Sequence, residues 1–294
     1  MIDSSYATGK VTGYEDVGGL VGENNEGMIT KSYATGNVKG TYDVGGLVGG
    51  NYDAMITESF ATGAVTGDEN VGGLVGGNYG QGPGEDAAII EKSYATGAVK
   101  GSYDVGGLVG ENYGGKIEKS YATGNVAGGD YAGGLVGWNG YDDDSLIVQS
   151  YATGNVKGSY AVGGLAGGNE GWISNTDAWS NVTGKEAVGG LVGFNDNDGL
   201  IENSYSIGTV SGSKSVGGFL GHNNNGVIIS SYWDMTTSGK IIGVGGSNGV
   251  NPMEVTGLNT PAMMQESSFD GWDFDNVWSI DEGVTYPLVG VLAP

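Results

Sequence analysis

Few side chains of this sequence could carry catalysis. His222 is the only histidine, cysteine is absent, and all 11 basic residues are lysines. No nucleophile–histidine–acid set can be assembled around His222, which stands in a variable slot that holds Glu23, Trp138 or Phe194 elsewhere. We interpret it as a surface residue and predict no enzymatic activity. Carboxylates alone can cleave polysaccharides, so a polysaccharide-active enzyme remains an alternative.

Two acidic loops offer oxygen atoms of the kind that Ca²⁺ prefers. Asp142, Asp143 and Asp144 form one loop, and Asp196 and Asp198 belong to the other. Neither spacing follows an EF-hand or a calcium-binding nonapeptide repeat. We therefore predict solvated loops and no cofactor, with bound Ca²⁺ as the alternative.

Charge and hydropathy limit the partners. The net charge of -23 repels nucleic acid and anionic lipid. No apolar run reaches the roughly 20 residues that a membrane helix needs. We predict neither nucleic-acid binding nor membrane insertion.

An internal repeat of about 27 residues organises the chain. The segment GGLVG, or a close variant, recurs eight times, beginning at Gly18, Gly45, Gly72, Gly106, Gly133, Gly163, Gly189 and Gly217. Repeats of this length indicate stacked units, none of which buries its apolar face alone.

Each repeat contains three short apolar pieces, such as Met28-Ile29, Val38 and Val44 to Val48. Gly, Asn, Asp or Thr separate them, which favours strands and turns over helices. We predict an all-β, three-sided parallel β-solenoid whose coils lie about 4.8 Å apart. The 62 glycines are expected to supply positive φ at the corners and close backbone approach between coils.

An asparagine recurs two residues after each GGLVG segment. We expect these side chains to form a ladder in which each amide bonds to the next coil; they are Asn24, Asn51, Asn78, Asn112, Asn139, Asn169, Asn195 and Asn223. Two insertions, at 79–88 and 140–145, both follow this asparagine and predict a loop at one corner.

An aromatic residue recurs in the segment SYATG, beside a column of threonines. The charged Lys31 and Glu58 stand two residues before it and would share its face of a strand, so the rings are expected to point outward. This predicted surface comprises Tyr6, Tyr33, Phe60, Tyr94, Tyr121, Tyr151 and Tyr205. Asp177 replaces the ring in the seventh repeat, which fits an exposed position, and Trp179 lies on the same face. The stripe is either a stacking ladder that stiffens the sheet or a platform on which glycans bind.

These motifs resemble the GLUG repeat, whose core is here Gly19-Leu20-Val21-Gly22 and the seven later copies of this segment. The resemblance covers about residues 1–234. It implies a module of a secreted or wall-attached surface protein such as an adhesin. Some relatives are IgA-cleaving peptidases, but these carry their zinc motif in another domain, and this chain has no HExxH.

The last part of the chain, 235–294, differs from the repeat domain, 1–234. Thr260 as N-cap and Pro261 predict a short helix to about Gln265. Phe269, Trp272, Phe274, Val277 and Trp278 are expected to form an aromatic cap that plugs the last coil, because an open solenoid end exposes strand edges.

The first residues, Ile2 to Tyr6, already align with the repeat. The chain is therefore expected to be either a fragment of a longer protein or a subunit that pairs head-to-tail with another copy. The sequence predicts an extracellular structural or adhesive module. Its expected partners are other copies or flanking repeats, and glycans or other cell-surface ligands.

Overall fold

The computed structural model describes residues 1–81, 88–140, 144–197, 199–249 and 251–289. Over these ranges the chain winds into a parallel β-solenoid of about nine coils, which confirms the predicted fold class. Equivalent residues of successive coils pair directly: Ile29 lies between Ile2 and Ile56 in one sheet. The register jumps by 34 residues between Ile56 and Ile90 because an insertion lies between them.

Each full coil has five short strands in four sheets, rather than the predicted three strands. The segments ITKSYA and YDVGGLVG are each interrupted by a bend, so each contributes two strands. At the first bend Lys31 has a φ of 49° and Glu58 a φ of 50°. These residues therefore turn a corner and do not share a strand face with the following ring, although the ring does point outward.

The strands of the first two columns form one sheet of 18 strands. The first column comprises Ile2–Asp3, Met28–Thr30, Met55–Thr57, Ile89–Glu91, Lys116–Glu118, Leu146–Val148, Trp172–Ser174, Leu200–Glu202, Val227–Asp234 and Met253–Leu258. The second comprises Tyr6–Ala7, Tyr33–Ala34, Phe60–Ala61, Tyr94–Ala95, Tyr121–Ala122, Tyr151–Ala152, Asp177–Ala178 and Tyr205–Ser206. Val227–Asp234 serves both columns.

The other three columns each form a sheet. The third comprises Val11–Thr12, Val38–Lys39, Val65–Thr66, Val99–Lys100, Val126–Ala127, Val156–Lys157, Val182–Thr183 and Val210–Ser211. The fourth comprises Val17–Gly18, Tyr42–Gly45, Glu69–Gly72, Tyr103–Gly106, Asp130–Gly133, Tyr160–Gly163, Glu186–Gly189 and Lys214–Gly217. The fifth comprises Val21–Asn25, Val48–Tyr52, Val75–Tyr79, Val109–Tyr113, Val136–Asn139, Ala166–Asn169, Val192–Asn195, Leu220–Asn223 and Val244–Ser247.

The core is a stack of similar layers. Within one coil Ile29, Ala34, Leu47 and Val48 are buried in one cluster, and the valines of the third and fourth columns form a second cluster. Ser32 is also fully buried, as expected for an inward-facing small residue, and its backbone N–H donates to Oγ of Ser59 at 3.1 Å.

The glycines of GGLVG permit close packing and do not supply positive φ. A Cβ on Gly46 would lie 2.1 Å from the carbonyl oxygen of Gly73 in the next coil, and a Cβ on Gly45 only 1.8 Å from that of Val48. The left-handed corners are instead held by other residues, such as Asp43 at φ 46°. The expectation that glycine supplies the corner conformations is therefore wrong for this column, whereas the expectation of close approach is correct.

The recurring asparagines form a continuous amide ladder in the interior. Nδ2 of Asn24 donates to Oδ1 of Asn51 at 2.8 Å, and each later member repeats this bond to the next coil, up to Asn195 and Asn223 at 3.1 Å. Most members also donate to a backbone carbonyl, as Asn112 does to Gly115 at 2.9 Å. The ladder satisfies polar groups that would otherwise be buried without partners.

The C-terminal end differs from the predicted plug. Trp233 occupies the inward position that Ala34 and its equivalents hold in earlier coils, and it belongs to the solenoid core. Its ring lies against Gly218, Gly243 and Gly257, and its Nε1 donates to the carbonyl of Lys240 at 3.0 Å. Trp233, which the sequence analysis missed, thus fills the last coil.

Parallel pairing continues beyond residue 234. Val244–Ser247 pairs with Leu220–Asn223, and Met253–Leu258 pairs with Val227–Asp234. Within the described ranges these two are the last strands of their sheets, so the cap does not remove the strand edges.

The remaining elements are short: the helices Met235–Ser238 and Thr260–Met263, the 3₁₀ helix Glu266–Ser268, and an antiparallel pair, Trp278–Ser279 with Leu288–Val289. The helix at Pro261 was predicted, but its N-cap is Asn259, whose side chain accepts from the N–H of Ala262. Of the two predicted insertions, 79–88 and 140–145, residues 82–87 and 141–143 lie outside the described residues.

Candidate functional site

Six of the seven rings of the predicted aromatic surface form one stack on the outside of the second column. From Tyr6 through Tyr33, Phe60, Tyr94 and Tyr121 to Tyr151, the centroids are 4.9 to 5.3 Å apart and the planes within 9° of parallel. Tyr6 is 64% exposed and the other five are partly buried.

The stack covers the faces on which a sugar would lie. A glycan that packs on an aromatic ring needs the flat face, yet each inner ring has a neighbour on both faces. Tyr6 and Tyr151, at the two ends of the stack, each have one neighbouring ring in it. The arrangement therefore matches the stacking-ladder interpretation and leaves little room for a glycan platform along its length.

The C-terminal segment covers the predicted aromatic surface at its last two positions, Asp177 and Tyr205. Tyr205 has no exposed surface and Asp177 is 3% exposed, so the expectation that both are solvent-facing is wrong. Burial raises the pKa of the Asp177 carboxyl well above its ordinary value. Trp179 packs against the same segment, and its Nε1 donates to the hydroxyl of Tyr205 at 2.9 Å.

The predicted aromatic cluster lies on this side of the solenoid. Phe269, Trp272 and Trp278 pack on Tyr205 and Tyr232 of the last coils. Hydrogen bonds fix the contact: the hydroxyl of Tyr205 donates to the carbonyl of Pro287 at 2.6 Å, and that of Tyr286 to the buried Asp234 at 2.8 Å. The cluster thus covers the outer face of the final coils and does not fill the solenoid core.

The other sequence candidates show no assembled site. His222 stacks on Phe194 at 5.6 Å, in the column of variable outward-facing residues. Asp144 is exposed, and Asp196 accepts from Asn224 at 2.7 Å. Asp142, Asp143 and Asp198 lie outside the described residues. Among the residues that are described, no group of three or more His, Cys, Asp or Glu could hold a metal ion.

A second surface, missed by the sequence analysis, lies between the fourth and fifth columns. It is a cleft of about 320 Å³, which we call the acidic cleft, lined by Glu69, Asn70, Tyr103, Asp104, Glu111, Tyr131 and Trp138. The left-handed corner at Asp104, with φ 48°, sets this carboxyl beside the strand that carries Glu111.

Glu111 is held by a hydrogen-bond network. Its Oε2 accepts from Nδ2 of Asn70 at 3.1 Å and lies 3.3 Å from the hydroxyl of Tyr79. That hydroxyl donates to Oδ1 of Asp43 at 2.6 Å. Burial raises the pKa of Glu111 and of Asp43, and the hydrogen bonds from Tyr79 and Asn70 partly offset this effect.

Asp104 differs from these carboxylates. It is 6% exposed, and its Oδ1 is buried without a hydrogen-bond partner. Burial, followed by the nearby charges of Glu111 and Glu69, raises the pKa of Asp104 to about 8. A buried acceptor without a donor is rare in native proteins and calls for an explanation.

Comparison with known proteins identifies the repeat. The GLUG motif matches residues 13–39, 40–66, 67–100, 101–127, 128–157 and 184–211, which together make up more than half of the chain. The chain belongs to the GLUG family. No curated protein matches it. A solved structure that the comparison matches is described as a putative immunoglobulin A1 protease from Bacteroides ovatus. It is 17% identical, with a TM-score of 0.41, over 96% of this chain and 76% of that one.

The spacing of residues within the repeats could have predicted the acidic cleft. Asp16 and Asp43 each accept a hydroxyl from a tyrosine 36 residues later, Tyr52 at 3.3 Å and Tyr79 at 2.6 Å. Those tyrosines directly follow the ladder asparagine, and the equivalent residue for Asp104 is Gly140. Gly140 has no side chain, so it offers Asp104 no hydroxyl in the place of Tyr52 and Tyr79.

Proposed function

We propose that this GLUG-repeat chain is a rigid structural and adhesive module of an extracellular surface protein and is not itself an enzyme. The observation that carries the proposal is the unbroken stacking of about nine coils. Each coil is joined to the next by backbone pairing and by the amide ladder, and along the first six coils also by stacked rings. Such a rod suits a spacer that holds another part of the protein away from a surface.

Family membership supports an extracellular setting. GLUG repeats are, by the resemblance noted above, typical of secreted or wall-attached proteins. Within the described residues no helix is long and apolar enough to cross a membrane. Antibodies against this chain are expected to label intact cells; labelling only after permeabilisation would contradict the assignment.

The spacer role is tested by changing the number of coils. Inserting four further copies of residues 40–66, one matched unit, after Thr66 should lengthen the particle by about 19 Å, at 4.8 Å per coil. Small-angle X-ray scattering measures the maximum dimension, and thermal melting checks that stability is retained. An unchanged dimension or an unfolded product would refute a modular rod.

The adhesive role needs a separate test. Beads coated with the chain are measured for retention on surfaces that carry plant, algal or bacterial glycans, with beads coated in an inert protein as the control. Retention above the control on at least one surface is expected. Equal retention on all of them removes the adhesive part of the proposal and leaves the spacer. Incubation with pectins and alginates tests the claim that the chain is not an enzyme, because released reducing ends would overturn it.

Head-to-tail assembly is a second proposal, carried by the first coil. Ile2–Asp3 pairs with Met28–Thr30 on one edge, and among the described ranges no strand pairs with its other edge. Light scattering should show a mass that rises with protein concentration. Tyr6→Lys, at the exposed end of the ring stack, should reduce the rise while the melting temperature stays unchanged. A mass of one chain at all concentrations would exclude assembly.

A further inference from the structure

The acidic cleft is a place where the repeat has lost a hydrogen bond. In the first and second coils the carboxyl at this corner receives a tyrosine hydroxyl, from Tyr52 to Asp16 and from Tyr79 to Asp43. Gly140 supplies no such group to Asp104. A ligand that donates a hydrogen bond to the buried Oδ1 would replace the missing hydroxyl.

The charge around Asp104 selects the kind of donor. Glu69 and Glu111 line the same cleft, and none of its lining residues is a lysine. A neutral donor would not stabilise a negative charge on Asp104 beside these two carboxylates, whereas a cationic donor would favour the ionised form of Asp104 and make a stronger, charge-assisted hydrogen bond to it. A primary ammonium group satisfies both requirements, while a quaternary ammonium has no N–H to donate.

The aromatic residues of the cleft favour a ring-shaped ligand. Tyr131 makes T-shaped contacts with Tyr103 at 5.2 Å and with Trp138 at 4.8 Å, both at 79°. These contacts cover less of each face than the parallel stacks of the second column, and Tyr103 is 43% exposed. Open faces of Tyr and Trp attract both cations and the C–H groups of a sugar ring.

We infer that the acidic cleft binds an amino sugar with a free amine, the ammonium group donating to Asp104 and the sugar ring packing against Trp138 and Tyr103. The cleft volume of about 320 Å³ lies at the small end of the usual range for ligand sites, which suits one or two sugar residues. The inference concerns a surface other than the ring stack and does not depend on the rod being a spacer.

The ligand class is tested by calorimetry on the full chain. A tetramer of glucosamine is compared with a tetramer of N-acetylglucosamine, in which the amine is blocked, and with a lysine-rich peptide. We expect the glucosamine tetramer to bind at least about tenfold more tightly than the acetylated one, the value of one charged hydrogen bond. Equal binding of the two tetramers, no binding of either, or tighter binding of the peptide would each overturn the inference.

The site is tested by variants with a matched control. Asp104→Asn should weaken binding about tenfold or more, whereas Asp16→Asn, in the same column but with a hydroxyl partner, should leave it unchanged. Trp138→Gly combined with Gly140→Tyr recreates the GGNY sequence of the third coil and should abolish binding.

A side chain at position 140 comes close to Glu170, since its Cβ would lie 2.7 Å from that residue's Cβ. Circular dichroism therefore checks the fold of the double variant, and if it is unfolded the single substitution decides. Binding by Asp104→Asn equal to that of the wild type would refute the site.

Discussion

The amide ladder predicts a strong dependence of stability on position within one column of identical residues. Asn112 donates to Asn139 at 2.8 Å and to the carbonyl of Gly115 at 2.9 Å, and it accepts from Asn78 at 2.8 Å. Asn112→Ala removes all three bonds in a fully buried setting. At about 1 kcal/mol for each bond, the free energy of unfolding should fall by about 3 kcal/mol.

Asn24 is the matched control because it belongs to the same ladder at its first coil. It donates a single ladder bond, to Asn51 at 2.8 Å, and is 7% exposed. Asn24→Ala should therefore lower the free energy of unfolding by only about 1 kcal/mol. Both variants remove the same side chain, so the difference between them measures the additional hydrogen bonds of Asn112.

Urea unfolding followed by circular dichroism measures both variants. With a slope of about 3 kcal/mol per molar urea, the midpoint should fall by about 1 M for Asn112→Ala and by about a third of that for Asn24→Ala. If Asn112→Ala lowered the midpoint no more than Asn24→Ala does, the additional hydrogen bonds of Asn112 would contribute nothing to the free energy of unfolding.

Three further predictions concern the end of the solenoid, the glycines and the acidic cleft. Trp233→Ala should lower the free energy of unfolding by about 3–5 kcal/mol, because it empties the last coil, and light scattering should show aggregation; an unchanged melt would mean that the coil end needs no filling. Gly46→Ala places a methyl group 2.1 Å from the carbonyl of Gly73 and should lower the melting temperature markedly, whereas Gly9→Ala, with no atom within 4 Å of the new carbon, should be neutral; similar melts for both would contradict the close-packing role. For Asp104 the pKa is raised from 3.8 to about 8 in the folded protein, so the folded state holds a proton that the unfolded chain releases between these values, and stability falls as pH rises across that window. Asp104→Asn should therefore stabilise the protein relative to wild type by an amount that grows from pH 5 to about pH 8 in urea titrations and then levels off. A difference that is constant over this range would argue against the raised pKa.

The repeat sequence determines much of the fold because each coil constrains the next. The ladder of Asn24 to Asn223 follows from one residue at one register, and the apolar positions around Ile29 recur in every unit. Strand count was harder to predict, since the bends at Lys31 and Asp43 are made by ordinary residues in a left-handed conformation. Composition does not reveal these corners, because the glycines of GGLVG, which were expected to form them, permit close packing between coils.

The functional surfaces were less predictable because they depend on contacts between distant segments. Tyr205 follows the same motif as Tyr33, yet it is buried because the chain near Pro287 returns to cover it. Asp104 and Asp43 likewise share a motif, but Asp43 accepts from Tyr79, 36 residues later, and from Asn70, whereas Oδ1 of Asp104 has no donor. The exchange of an inward alanine for Trp233 was visible in the sequence and marks where the regular core ends.

The direction of the hydrogen bonds has a mechanical consequence. Bonds between coils, such as Asn112 to Asn139, run along the long axis of the rod, so a pull on its two ends loads one coil at a time and peels it from the stack. The coils are 26 to 34 residues long, so each then releases about 90 to 115 Å of extended polypeptide. Under tension the protein is expected to lengthen in a series of similar steps and to absorb energy at each one, as a tether that yields gradually.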